Sequence, residues 1–319
     1  MLTASIQREK EMLATLPDSA KLNVPPGLSG ELLKRACALP NYENQEFYST
    51  ELQEHVYQYV RDGSLGDFDW LISEVKSRIA RWPYCVLVRG LRFDEGNRLF
   101  VAVNRAFGEL MARPYEKPRA QLVHYIQPAT DLPSARGGHE SERLHTDTAD
   151  WKDPVEMISM VCVRADPNGG GRSRVLDVGS IREEVAKQLG EQTLELLETT
   201  PVPWQLAPYW GGGVNWRTVL DESHVCWRRY TINLALESHG LELSTEMSTA
   251  LDAFEEVLAS TTRTVEFLMR EGELLLSDNI RTIHARTPIA DGTASNRLMI
   301  RSWVRTLKGN NGDAGRSAI

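Results

Sequence analysis

The sequence has no apolar run near the ~20 residues a membrane-crossing helix needs. Its opening stretch, MLTASIQREKEML, mixes charge into the region where a secretory leader would carry an apolar segment. Cysteine is scarce and scattered: Cys37, Cys85, Cys162 and Cys226 form neither a CxxC pair nor a disulfide-framework spacing. Cys85 and Cys162 stand in apolar runs and read as buried thiols of a reducing compartment, so a cytoplasmic protein is expected. Positive charge is also in deficit. With 36 Lys and Arg against 44 Asp and Glu, the net charge is −8, which argues against nonspecific nucleic-acid binding. The glycine-rich stretch Tyr209–Trp216 lacks GxGxxG spacing, and no G-x-S-x-G elbow occurs, so dinucleotide binding and nucleophilic hydrolysis are disfavoured. Internal repeats are absent too.

What is present is an ordinary globular composition, 41% hydrophobic and 25% charged over 319 residues, enough for a large core. Helical spacing of apolar residues predicts helices over 5–16, 46–61, 67–81 and 95–112, and a late one over 244–259. From residue 84 the texture changes to short β-rich runs at 84–90, 120–126, 155–164, 172–178, 228–234, 263–269, 273–278 and 297–304, separated by turns such as DPNGGG. Strands that do not alternate with helices suggest a mostly β fold, a β-sandwich or jelly-roll barrel, buttressed by helices. The organisation expected is a helical region 1–83 packed on a core of 84–307, with a disordered polar tail 308–319.

Chemistry concentrates in two places. In GGHESERLHTDTADW, His145 and Asp147 are two residues apart, and in an extended segment such residues point to one side, so an imidazole and a carboxylate can meet one ion. Alone this is weak, because a His-x-acid triplet arises by chance. The second place, SDNIRTIHARTPIADGTASNRLMIRSWV, sets His284 ahead of a strand whose alternation puts Arg297, Met299, Arg301 and Trp303 on one face, opposite Leu298, Ile300 and Val304. Two arginines facing away from the aliphatic side need a reason. Water is the plain one; a functional role, with His284 thirteen residues before Arg297, is the other.

HTD followed far downstream by DNIRTIHARTPI and NRLMIRSWV resembles the taurine dioxygenase/clavaminate synthase-like family of Fe(II)- and 2-oxoglutarate-dependent oxygenases. The resemblance covers roughly 84–306. It implies a double-stranded β-helix (jelly-roll, cupin-like) core, Fe(II), 2-oxoglutarate as co-substrate, and O₂. It also implies that His145, Asp147 and His284 form the two-His-one-carboxylate triad, which leaves open positions on the metal. Arg297 matches the residue that pairs with the distal carboxylate of 2-oxoglutarate, a contact suited to a planar guanidinium. Ser173, in Gly170-Gly171-Arg172-Ser173, matches a second donor to that group. Arg301 matches a substrate-binding position, with a structural ion pair as the plain alternative.

Asp150 and Trp151, just past the ligand pair, are expected either to touch substrate or to serve as a turn and a packing residue. His139 and His124 read as a loop and a core histidine. The expected reaction is hydroxylation of a small polar substrate, such as an amino acid or natural-product intermediate, with desaturation and ring formation as variants. A zinc hydrolase or isomerase on a jelly roll and a non-catalytic binding protein are the rivals. No nucleic-acid or membrane partner is expected, and the sequence leaves a homo-oligomer open.

Overall fold

The computed structural model describes residues 14–44, 46–112, 122–127, 139–289 and 296–306. Its strands are β1 (Ala14–Thr15), β2 (Lys21–Asn23), β3 (Cys85–Arg89), β4 (Gly108–Met111), β5 (His124–Ile126), β6 (Met157–Arg164) and β7 (Ser173–Asp177). There follow β8 (Val202–Gln205), β9 (Val214–Arg217), β10 (Val265–Phe267), β11 (Leu274–Asp278), β12 (Thr282–Arg286) and β13 (Leu298–Thr306). The larger sheet runs β2-β3-β11-β6-β13-β4, with β5 also on β13; the smaller runs β1-β10-β7-β12. The central pairings of both sheets are antiparallel.

The alternation of each strand explains how the sheets face one another. Cys85, Leu87, Cys162, Leu275 and Met299 of the larger sheet meet Val175, Val265 and Phe267 of the smaller in one apolar layer. On its outer face the larger sheet buries Val86, Leu276, Ile300 and Val304 against α1 (Pro26–Ala38), α2 (Thr50–Asp62), α3 (Asp67–Ile79) and α4 (Arg98–Arg105). The smaller sheet turns Leu176, Ile283 and Ala285 toward α5 (Val178–Leu189), α6 (Glu191–Thr199), α7 (Arg229–His239) and α8 (Thr245–Ser260). This is the helix-buttressed double-stranded β-helix expected. Side-chain caps fix three helix starts: Ser49 on α2, Asp177 on α5 and Ser244 on α8 each accept from a backbone N–H in the first turn. No described helix is long and apolar enough to cross a membrane.

Several local expectations are corrected. The helix predicted over 95–112 stops at Arg105, and Gly108–Met111 becomes β4, paired with Trp303–Thr306. Gly108 makes that pairing close: a Cβ there would lie 2.0 Å from the Arg305 carbonyl oxygen. RRYTINL, predicted as a strand, opens α7, because Ile232 and Ala235 bury one helical face. Within the helix predicted over 5–16, Ala14–Thr15 instead lies parallel to β10, and residues before 14 are outside the described ones. Among the described residues of the strand predicted over 120–126, His124–Ile126 is β-structure; residues 120 and 121 and the polar tail lie outside the described residues. Helices α1, α5 and α6 went unforeseen, masked by prolines and glycines at their edges.

Candidate metal centre

His145 and His284 reach the site by pairing with each other. Each backbone N–H donates to the other's carbonyl, at 3.0 and 2.9 Å, in an isolated antiparallel bridge beside β12. Residues directly opposite on antiparallel strands project to the same face, so the two imidazoles stand together, ring centroids 4.6 Å apart. Asp147, two residues on, joins them. Its Oδ1 lies 3.7 Å from His145 Nε2 and 3.9 Å from His284 Nε2. One cation can touch all three atoms.

The surroundings decide which atoms are free to ligate. His145 Nδ1 lies 2.8 Å from the Arg143 carbonyl, so the proton sits on Nδ1 and Nε2 keeps its lone pair. Asp147 Oδ2 accepts from Arg301 Nη1 at 2.9 Å and from Trp303 Nε1 at 2.8 Å, which leaves Oδ1 for the histidine side. The carboxylate is 3% exposed. Burial would raise its pKa, but the Arg301 charge, the His145 hydrogen bond and the charge of the histidine pair outweigh it and hold the group well below the usual carboxylate range. Burial, with His145 beside it, pushes His284 down to about 3. Near neutral pH His284 is a neutral imidazole and Asp147 a carboxylate, and His145 completes a set of two imidazoles and one carboxylate. Such a donor set fits a non-haem iron(II) centre with open positions. Among the described residues, none partners the buried His284 Nδ1 or fixes that ring's tautomer.

Asn279, which sequence reasoning missed, ties the loop of Asp147 to the β11–β12 turn. Its side chain accepts from Asp147 N at 3.1 Å and donates to the carbonyls of Asp147 at 3.0 Å and Val155 at 2.8 Å. Nothing in the motif SDNIRTIH distinguishes this asparagine from a turn former. Replacement by alanine strands three buried backbone groups, so Asn279→Ala is expected to cost about 3 kcal/mol, read from the urea midpoint at constant slope. Trp303 was foreseen on the correct face but without its hydrogen bond.

Arg297 is 6% exposed at the edge of the inter-sheet space, and its Nη2 donates to the Gly171 carbonyl at 3.4 Å. Burial and the neighbouring Arg286 charge lower its pKa from the ordinary arginine value. Gly171, at φ +65°, gives the guanidinium room: a Cβ there would sit 2.7 Å from Arg297 Nε. Ser173 opens β7 opposite Arg286, on the face that carries His284 two residues along. The described glycine contact to Arg297 is thus made by Gly171. Asp150 is half-buried, with Oδ1 unpartnered. Trp151 is 1% exposed, packed edge-on against Trp303 at 5.9 Å, and meets the site through that ring. His124 also stands edge-on to Trp303, at 4.6 Å.

Known proteins share this fold. Among solved structures, an asparagine oxygenase in complex with Fe(II), 2S,3S-3-hydroxyasparagine and succinate superposes with a TM-score of 0.67, at 16% identity, over 90% of this chain and 94% of that one. The non-heme iron oxygenase OrfP, in complex with Fe and alpha-ketoglutaric acid, gives 0.66 at 17% identity over 89% and 93%. OrfP with Fe, succinate and (3R,4R)-dihydroxy-L-Arg also gives 0.66, over 91% and 94%. No curated protein sequence matches the chain significantly. Residues 69–303 match the model of one family, and the chain belongs to it: the taurine catabolism dioxygenase TauD, TfdA family.

Proposed function

We propose that His145, Asp147 and His284 hold the iron of this Fe(II)- and 2-oxoglutarate-dependent dioxygenase, and that it hydroxylates a small polar molecule of the amino-acid kind. The observation that carries the assignment is Asp147: one oxygen is spent on Arg301 and Trp303, and the other faces both Nε2 atoms. When iron and 2-oxoglutarate are bound, the chemistry they supply is oxidative decarboxylation to succinate and CO₂ coupled to oxidation of a C–H bond.

The protein's residues orient and exclude. Arg297 offers its fork to the distal carboxylate of 2-oxoglutarate, with Ser173 on the same inward face as a second donor. Arg301 holds Asp147 ionised and fixes its rotamer, the ion-pair reading of that arginine. The Trp303 and Trp151 rings close the space beside Asp147 to water. The solved asparagine and arginine-derivative complexes support an amino-acid substrate, since their folds superpose along nearly the whole chain.

Anaerobic titration with Fe(II) and then 2-oxoglutarate should develop a weak visible charge-transfer band in the wild-type protein and none in His284→Ala. A wild-type protein that binds neither would sink the reading. A subtler outcome concerns Trp303→Phe, which keeps the ring and removes the N–H donated to Asp147. Losing an outer-shell hydrogen bond costs about 10–100-fold in metal affinity, and a fall at the lower end is expected because Arg301 remains. Competition with a fluorescent chelator measures it.

A further inference from the structure

A cavity of about 290 Å³ opens beside His145, between the segment 143–145, the start of α7 and α8. Three arginines line it. Arg143 is answered by Glu255 at 3.2 Å, and Arg229 by Asp252, both acids on α8. Arg228 has no ion pair or hydrogen bond to any side chain among the described residues, although it is half-buried. A half-buried guanidinium left unanswered gives the cavity a local positive charge; Tyr230 and Asn233 add polar groups to its wall.

Backbone alternation explains where Arg228 points. The chain at 226–228 lies beside 145–147: Thr146 N donates to the Trp227 carbonyl at 2.8 Å, and Trp227 N donates to Thr146 Oγ1 at 3.0 Å. Trp227 is 3% exposed and packs on Phe254 beneath the smaller sheet. Its successor, extended at φ −164° and ψ 91°, projects to the opposite side, where His145 and His284 stand. The Arg228 charge is felt there, as one of the influences that disfavour protonation of His284.

We propose that Arg228 anchors the substrate, so that the molecule oxidised is a small acidic amino acid whose side-chain carboxylate occupies this cavity beside His145. The inference rests on the oxygenase reading and deepens it. The two guanidiniums then divide the work: Arg297, against Gly171, serves 2-oxoglutarate, and Arg228, across the site, serves the second substrate. A planar fork meets a carboxylate with two parallel charge-assisted hydrogen bonds, which fixes the orientation of the bound molecule as well as its charge.

The test uses the full chain with Fe(II) and saturating 2-oxoglutarate in air, measuring succinate formation. Probes come in matched pairs: L-aspartate with L-asparagine, L-glutamate with L-glutamine, and O-phospho-L-serine with L-serine. In at least one carboxylate pair the acid is expected to win by about tenfold or more in kcat/KM, the size of one charge-assisted contact. Arg228→Lys keeps a reduced preference, Arg228→Gln flattens it, and Arg228→Glu inverts it. A purely structural role would not invert a charge preference, and the urea midpoint of each variant identifies any that misfold; Gln stands in if Glu does. Equal responses in every pair, a preference confined to the phosphate pair, or an acid preference that survives Arg228→Glu each overturn the proposal. Absence of the anaerobic 2-oxoglutarate band in the wild type sinks the oxygenase reading itself, a separate result.

Discussion

Replacing Asp147 by alanine is expected to abolish metal binding and succinate formation together and to weaken the fold, whereas asparagine should abolish only the first two. The reason is the division of the carboxylate. Oδ2 answers Arg301 and Trp303 inside a site where Asp147 is 3% exposed, so alanine removes the acceptor of both hydrogen bonds. Losing it costs about 2–4 kcal/mol. Asparagine can keep its carbonyl on that side. Its amide then faces the Nε2 lone pairs of His145 and His284 and donates to them, which blocks the position a cation would take. The expected pattern is a stability loss in Asp147→Ala, a near wild-type urea midpoint in Asp147→Asn, and no iron retained by either after gel filtration. Iron bound stoichiometrically by the asparagine variant would remove Asp147 from the ligand set.

The second large effect concerns 2-oxoglutarate. Arg297→Ala removes two charge-assisted hydrogen bonds at about 1.5 kcal/mol each, so the KM for 2-oxoglutarate should rise about 100-fold. Gly171→Val attacks the same contact from the other side. Its Cβ would fall 2.7 Å from Arg297 Nε, and a β-branched residue is strained at φ +65°, so the guanidinium must move. A KM rise of about tenfold is expected, with iron affinity in the absence of 2-oxoglutarate close to wild type, because neither residue touches the three ligands. If both variants keep the wild-type KM, the co-substrate is gripped elsewhere.

Much of this site was legible in the chain. The i, i+2 spacing of His145 and Asp147 is weak by itself and gains weight from His284 downstream, and β13 displays its inward face through the alternation of Met299, Arg301 and Trp303 against Ile300 and Val304. The central strands β3, β6, β11 and β13 of the larger sheet were legible because they bury apolar residues on both faces. The failures share a cause as well. RRYTINL is β-branched and aromatic enough to pass for a strand, and only the burial of Ile232 and Ala235, on a helix that packs against β8, makes it α7. Gly108–Met111 has helical propensity but is captured by the free edge of β13. Asn279 carries no local signal at all, because its value lies in backbone groups of Asp147 and Val155, more than a hundred residues earlier in the chain. The direction of Arg228 is not written in its neighbours either, because it depends on Trp227 being held beneath the sheet.

The mutual bridge between His145 and His284 separates two things that usually vary together, chain length and catalytic geometry. The register between those residues is set by two main-chain hydrogen bonds and asks nothing of the side chains that intervene. Everything from α5 through α8, including the β8–β9 ribbon, is an excursion that leaves this frame and returns to it. That excursion can be lengthened, trimmed or resculpted to suit a different guest molecule while the metal's coordinates stay put.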